Sequence, residues 1–136
     1  MKKNDAGASN AGILLIDDDA DVRKSIELFL STNGFSNVES ADGALEGIRM
    51  ATTKRYDLIL LDMIMPRVSG WGVLEKISDK KVKTRVLVLS AVGLPQVVEK
   101  EVTQKYPTVG FLPKTSAASD LVEKVKEMLA QPAGAI

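Results

Sequence analysis

The sequence predicts an α/β protein, a single domain built on a doubly wound, parallel, five-stranded sheet. The first observation is a set of apolar runs at 13–16, 58–61 and 86–89, each with the length and composition of a buried strand. The second is that segments with apolar residues at helical spacing separate these runs. The third is that strand and helix patterns alternate along the chain, which forces parallel strands with helices on both faces of the sheet.

The first half of the chain contains two strand-helix units. The strand at 13–16 is followed by a helix that Asn33 and Gly34 end, because this pair favours a turn after a helix. The positions of this helix that point inward at helical spacing are Val22, Ile26, Phe29 and Leu30. A second strand is predicted around 35–40, and Asp42 is a favourable N-cap for the next helix. The apolar face of that second helix is predicted to consist of Leu45, Ile48 and Ala51.

The second half contains three further units. The strand at 58–61 is followed by a helix that buries Val73, Leu74 and Ile77. The strand at 85–90 is followed by a helix that begins at the Leu94-Pro95 pair and ends before residue 107. A fifth strand at 109–112 precedes the last helix, which starts near 116–119. The apolar residues of that last helix are Leu121, Val122, Val125, Met128 and Leu129.

Composition limits the function. The 136 residues form one domain's length, and 18 basic residues balance 18 acidic ones without a dense basic stripe, so direct binding to nucleic acid is not expected. Cysteine and histidine are absent, which excludes thiolate and histidine chemistry from this chain. The polar start is not a membrane span or signal peptide, so a cytoplasmic location is expected. Residues 1–11 and 131–136 are predicted to be tails, the first of them flexible, around a domain at 12–130.

Functional side chains follow four of the predicted strands. Asp17 and Asp18 follow the first strand and Asp62 the third, while Ser90 ends the fourth and Lys114 follows the fifth. The carboxyl ends of parallel strands share one edge, which is where ligands bind in open α/β sheets. Carboxylates gathered there repel one another unless a cation joins them. The expected cation is Mg²⁺, which prefers oxygen ligands.

This arrangement resembles the receiver domain of two-component response regulators, over about residues 12–130. The segments that carry the resemblance are ILLIDDD at 13–19, LILLDMIMPRVSG at 58–70, VLVLSA at 86–91 and GFLPK at 110–114. The resemblance implies the flavodoxin-like strand order 2-1-3-4-5. It also implies a signalling domain that is not an enzyme in the ordinary sense, since it catalyses only its own phosphoryl transfer and hydrolysis.

The resemblance assigns roles to the acidic residues. Asp62 is the expected phosphoacceptor, taking a phosphoryl group from a sensor histidine kinase or a histidine phosphotransfer protein. Asp18, Asp62 and the backbone carbonyl of Ile64 are the expected direct ligands of Mg²⁺, and Asp17 acts mainly through water. Phosphoryl transfer depends mostly on positioning and charge neutralisation, which suits a carboxylate flanked by a metal.

The remaining site residues are expected to contact the phosphoryl group or to respond to it. Lys114 contacts its oxygens as a point charge, and Ser90 donates its hydroxyl. Movement of Ser90 frees space for Phe111, which changes the surface of the helix after the fourth strand and of the fifth strand. An effector protein or a second copy of the chain is expected to bind that surface together with the last helix. Phe111 is alternatively an ordinary core residue.

Three other functions compete with this interpretation. The first is a receiver-like interaction scaffold that works without phosphorylation. The second is an aspartate-nucleophile phosphatase, although the D-x-D-x-[TV] motif of such enzymes fails here at Asp21. The third is a flavodoxin-like electron carrier, but no predicted strand is followed by a loop suited to a flavin phosphate.

Overall fold

The fold consists of alternating strands and helices in a computed structural model that describes residues 10–63, 65, 70–80, 82, 84–90, 100, 104–106, 109–113 and 118–130. The strands are β1 Ile13–Ile16, β2 Val38–Ala41, β3 Leu58–Asp62, β4 Arg85–Ser90 and β5 Val109–Pro113. The helices are α1 Ala20–Thr32, α2 Ala44–Thr53, α3 Gly70–Asp79 and α4 Ala118–Ala130.

Parts of three predicted segments lie outside the described residues. Of the helix predicted between β4 and β5, the structure describes Lys100, Gln104 and Lys105 as helical. Residues 1–9 of the predicted first tail and the whole of 131–136 are not described. None of the helices in the described ranges has the length or apolar character that crossing a membrane requires.

The five strands form one parallel sheet in the order β2-β1-β3-β4-β5, which confirms the predicted fold class and strand order. The register pairs Ile13 with Leu58 and Ile16 with Leu61. β1 therefore ends level with Leu61, one residue before the end of β3. The residues that follow Ile16 and Leu61 consequently meet at the carboxyl edge of the sheet.

Alternate residues of β1 and β3 pack against helices on opposite faces of the sheet. Leu14 and Ile59 belong to a core cluster that includes buried residues of α2 and α3. Ile13 and Leu58 belong to a second cluster that includes buried residues of α1 and α4. All residues of β1 and β3 are buried, as expected for central strands covered on both faces. This double burial explains why their sequences are continuous apolar runs.

The second strand begins later than predicted, at Val38 instead of Phe35. Phe35 is 1% exposed and packs in the same cluster as Leu30. Its N–H donates to the Leu30 carbonyl at 2.9 Å, while the N–H of Gly34 donates to the Ser31 carbonyl at 3.3 Å. Gly34 has φ 96°, so these bonds form the Schellman motif that ends α1. Phe35 is thus the apolar anchor of a helix end rather than a strand residue.

The inward face of α2 was predicted wrongly at Leu45, which is 79% exposed. Asp42 is likewise not the N-cap, because Gly43 occupies that position without a side-chain hydrogen bond. The buried residues of α2 are Ala44, Gly47 and Ala51. A Cβ on Gly47 would lie 2.7 Å from Cδ1 of Ile16, so the helix approaches β1 through its smallest residues. Apolar spacing missed this face because a glycine stands at its centre.

In α1, α3 and α4 the predicted inward residues are buried or half-buried except at Phe29. In α3 the predicted residues Val73, Leu74 and Ile77 are all buried. In α4 the buried residues are Leu121, Val122, Val125 and Met128. Leu30 is buried in α1, but Phe29 is 43% exposed.

A polar cluster connects the edge strand β2 to the segment before β3. The Glu39 carboxylate accepts hydrogen bonds from Lys54 Nζ at 2.8 and 2.7 Å and from the Tyr56 hydroxyl at 2.6 Å. The bonds from Lys54 and Tyr56 lower the pKa of Glu39 from its usual 4.5. Burial and the hydrogen bond to Glu39 raise the pKa of Tyr56.

We expect Glu39→Gln to lower the free energy of unfolding at neutral pH by up to about 1 kcal/mol, because the cluster is largely solvated. The pKa of Glu39 is lower in the folded than in the unfolded chain. Its stabilisation is therefore present above the unfolded pKa and is lost as pH falls through the folded one. Urea unfolding from neutral to acidic pH measures this effect, with exposed Glu123→Gln as the control. A difference from the unaltered chain that stayed constant below pH 4.5 would contradict the assignment.

Candidate functional site

Three carboxylates meet at the carboxyl edge of the sheet. Asp17 and Asp18 follow β1 and Asp62 ends β3, and one carboxylate oxygen from each lies within 4.8 Å of the other two. Asp17 is 0% exposed and Asp62 is 3% exposed, whereas Asp18 is exposed. The register of β1 and β3 produces this grouping, because it brings residues that are distant in sequence to one point of the edge.

Hydrogen bonds hold the turn from β1 into α1, which contains Asp17 and Asp18, the strand-one acids. The Asp17 N–H donates to the Ala41 carbonyl of β2 at 3.3 Å, and its Oδ1 accepts from the N–H of Asp19 at 2.9 Å. The Asp17 carbonyl accepts a hydrogen bond from Arg23 Nη1 at 2.7 Å. The backbone and the side chain of Asp17 are therefore both held by hydrogen bonds.

Asp19, the third of the three consecutive aspartates, has a different role. It is the N-cap of α1, and its Oδ1 accepts hydrogen bonds from the N–H groups of Asp21 at 2.9 Å and Val22 at 3.3 Å. Aspartate is a favoured residue at this position, because its carboxylate satisfies N–H groups that have no partner inside the helix. The cap starts α1 immediately after the acidic pair.

The backbone around Asp62 is held from both sides. Asp62 is paired with Leu89 in the sheet, and the N–H of Met63 donates to the Leu89 carbonyl at 3.2 Å. The Met63 carbonyl in turn accepts from the N–H of Gly70, the first residue of α3, at 3.0 Å. This bond joins Met63 to the first residue of α3, so the start of a helix lies directly against the end of β3.

The donor set of the acidic cluster fits a small, hard cation. Carboxylate oxygens are the ligands that Mg²⁺ prefers, and Mg²⁺ is usually bound through one or two carboxylates. Two of the three carboxylates are buried, where mutual repulsion between charges is strong. A divalent ion held among Asp17, Asp18 and Asp62 would offset that repulsion.

The other predicted site residues are described less completely. The backbone of Ser90 ends β4 and is paired with Pro113, the last residue of β5, but the Ser90 side chain lies outside the described part of the structure. Lys114 directly follows Pro113 and, like Ile64, is itself outside the described residues. Phe111 is paired with Val88, is half-buried and packs against the core cluster of the α2/α3 face.

Two residues that the sequence interpretation did not select contribute to this edge. Arg23 contacts the backbone carbonyl of Asp17, and Gly70 contacts the backbone carbonyl of Met63, next to Asp62. Neither contact follows from periodicity or charge patterning, since each depends on how a helix start meets a strand end.

A comparison with protein families identifies the chain. The response regulator receiver domain family matches residues 13–126, so the chain belongs to that family. The cell cycle response regulator CtrA of Brucella ovis is 33% identical over 122 residues, which cover 90% of this chain and 51% of that protein. The CtrA regulators of Brucella anthropi and Brucella canis match equally well. The chain thus spans about half the length of the curated relatives it matches, and it is a receiver domain of two-component signalling.

Solved structures agree with this membership. The receiver domain of Francisella response regulator 1452 matches with a TM-score of 0.78 and 25% identity, covering 88% of this chain and 97% of that one. FixJ-N matches with a TM-score of 0.77 and 25% identity, covering 92% and 98%. Chemotaxis protein CheY4 of Vibrio cholerae, at 23% identity and a TM-score of 0.74 over 87% of this chain and 98% of its own, shares the fold.

Proposed function

We propose that Asp62 accepts a phosphoryl group from a phosphohistidine on a sensor histidine kinase or a histidine phosphotransfer protein. The observation that carries the proposal is that Asp62 is a nearly buried carboxylate whose oxygen lies within 4.8 Å of two other carboxylates in a receiver chain. A carboxylate oxygen of Asp62 forms a bond to phosphorus while the phosphorus–nitrogen bond of the donor breaks. The electron pair of that bond leaves with the histidine ring.

The metal site proposed for this reaction uses the same edge. Asp18, Asp62 and the backbone carbonyl of Ile64 are the proposed direct ligands, and Asp17 is proposed to act mainly through water. Bound Mg²⁺ supplies charge neutralisation for the phosphoryl oxygens. Support comes from the donor set, which is all oxygen, and from the hydrogen bonds that hold Asp17 in place.

Lys114 and Ser90 are proposed to contact the transferred group. Lys114 stabilises the phosphoryl oxygens as a cation, and Ser90 donates a hydrogen bond from its hydroxyl. The pairing of Ser90 with Pro113, which immediately precedes Lys114, supports this proposal because it brings the ends of β4 and β5 together. The ends of β3 and β4 are also neighbours, since Asp62 pairs with Leu89.

The proposed output is a change in the surface formed by the helix after β4, by β5 and by α4. Phosphoryl contacts made in only one of two conformations shift the equilibrium toward that conformation. The half-buried Phe111 packs at the margin of the core, where a small repacking reaches the surface. A protein effector or a second copy of the chain is the proposed partner, in the cytoplasm and without direct contact to nucleic acid.

Asp62→Asn is expected to abolish phosphorylation. The unaltered chain, incubated with acetyl phosphate and MgCl₂ and then analysed by intact-protein mass spectrometry, should gain the mass of one phosphoryl group. The variant should gain none, because an amide oxygen is a far weaker nucleophile than a carboxylate. Chelation of the metal with EDTA should suppress the gain in the unaltered chain.

Asp79→Asn is the matched control for this experiment. Asp79 is an exposed carboxylate at the last residue of α3, so the same chemical change there should leave the mass gain intact. A phosphoryl group that survives in Asp62→Asn would refute the assignment of the phosphoacceptor. An unaltered chain that gains no mass would instead favour a scaffold that works without phosphorylation.

A further inference from the structure

We propose that Arg23 is a positioning residue of the acidic site, holding the strand-one acids in the orientation that binds Mg²⁺. The inference deepens the proposed function and depends on it for the identity of the metal. The contact that supports it lies outside the carboxylate cluster. Arg23 Nη1 donates to the backbone carbonyl of Asp17 at 2.7 Å, a short hydrogen bond from a charged donor.

The contact acts on two acids at once because of where the carbonyl lies. The Asp17 carbonyl belongs to the peptide unit that joins Asp17 to Asp18, and a peptide unit is planar. A hydrogen bond to the oxygen of this peptide unit therefore restricts its orientation, and with it the backbone of both Asp17 and Asp18. The N–H of Asp19 donates to Asp17 Oδ1 at 2.9 Å, so the next residue is tied to the carboxylate of the first.

Arg23 is well placed to keep this geometry in the metal-free protein. It lies in α1, whose start is fixed by the Asp19 cap, and its own N–H donates to the Asp19 carbonyl at 3.0 Å. The residue is half-buried, which limits the freedom of its side chain. The turn from β1 into α1 is thus held at Asp17 by the guanidinium of Arg23 and at Asp19 by the first residues of α1.

The charge of Arg23 adds a second effect without making it a ligand. A guanidinium remains protonated throughout the accessible pH range and offers donors but no lone pair to a metal. Its position beside the Asp17 backbone brings a cation to the neighbourhood of three carboxylates. It thereby moderates their repulsion when no ion is bound.

Arg23→Met is expected to weaken Mg²⁺ binding by about 10-fold or more, since residues that orient metal ligands typically contribute 10–100-fold to affinity. Methionine keeps an unbranched side chain and a good helix propensity while removing every donor. Arg23→Lys should recover part of the loss, because an ammonium retains the charge but not the fork of donors. The Kd for Mg²⁺ is measured by titrating each full chain with MgCl₂ in a calorimeter.

A second measurement separates positioning from simple loss of charge or stability. Hydrogen exchange of the Asp19 amide, followed by NMR in metal-free protein, should be faster in Arg23→Met, whereas exchange of the core amide of Leu60 should not be selectively faster. Arg49→Met is the matched control, because the Arg49 guanidinium is exposed on α2 and pairs with Glu46. This control should leave both the Kd and the Asp19 exchange unchanged.

The results for Arg23, for the metal site and for the proposed function can be distinguished. An unchanged Mg²⁺ Kd in Arg23→Met, or a weaker Kd without faster Asp19 exchange, would overturn the positioning role. If the unaltered chain bound no Mg²⁺, the proposed metal site would fail, and the Asp19 exchange would still decide whether Arg23 orders the turn. A gain of one phosphoryl group by the unaltered chain tests the proposed function separately.

Discussion

Gly70→Ala is expected to destabilise the folded chain by about 3 kcal/mol and to displace the backbone of Asp62, the proposed phosphoacceptor. Gly70 begins α3, and its N–H donates to the Met63 carbonyl at 3.0 Å. A Cβ on this residue would lie 2.7 Å from Cα of Met63 and 3.1 Å from the carbonyl oxygen of Asp62. These are backbone atoms at the end of a central strand, so a rotamer change of a neighbouring side chain cannot relieve the overlap.

The overlap can be relieved only by moving α3 away from β3 or by moving the end of β3. The first movement opens the core around Val73 and Leu74, which are 0% and 2% exposed. The second moves Asp62 itself, which should also weaken Mg²⁺ binding. Close helix contact at this point is therefore a requirement of both stability and the site.

Urea denaturation measures the free energy of unfolding, and calorimetric titration measures the Kd for Mg²⁺. Gly12→Ala is the matched control, because the nearest atom to a Cβ there would be 3.6 Å away, an ordinary van der Waals contact. The control should change stability by less than about 0.5 kcal/mol. Equal stabilities of Gly70→Ala and the unaltered chain would show that α3 approaches β3 less closely than the structure indicates.

The sheet could be predicted from sequence because its central strands are buried on both faces. Such strands read as unbroken apolar runs, and β1, β3 and β4 were identified by that feature. The edge strand β2, with burial limited mainly to Ala41, lacks it, and the prediction extended to Phe35, whose apolar character serves a helix end. The strand order came from resemblance, since alternation alone does not define which strands are neighbours.

The acids of the candidate site could be predicted because each lies at the end of a strand or within two residues of it. Positions at strand ends are fixed mainly by the strands, so Asp17, Asp18 and Asp62 share one edge. Contacts from helices depend instead on packing distance and side-chain reach. The arginine at position 23 and the glycine at position 70 were missed for this reason, as was the exposure of Leu45.

Asp18→Asn is expected to change stability in opposite directions with and without metal. In metal-free protein the variant should be more stable by about 1 kcal/mol, because one of three charges within 4.8 Å is removed. The dipole of α1 favours the native carboxylate by about 0.5 kcal/mol, less than the repulsion that is relieved. Asp18 is exposed, so the substitution leaves no buried polar group without solvent.

With Mg²⁺ at about 100 times its Kd, the unaltered chain should gain about 2.7 kcal/mol, because the ion binds the folded state alone. The variant lacks one of the proposed direct ligands and should gain much less, so the order of the two melting temperatures should reverse. Thermal unfolding with and without MgCl₂ measures both orders. The control is Asp120→Asn, which removes an exposed acid in the first turn of α4 and should show no reversal. A variant less stable than the unaltered chain in EDTA would mean that repulsion among the three carboxylates does not destabilise the folded state. An increase in the melting temperature with MgCl₂ as large as that of the unaltered chain would exclude Asp18 as a ligand.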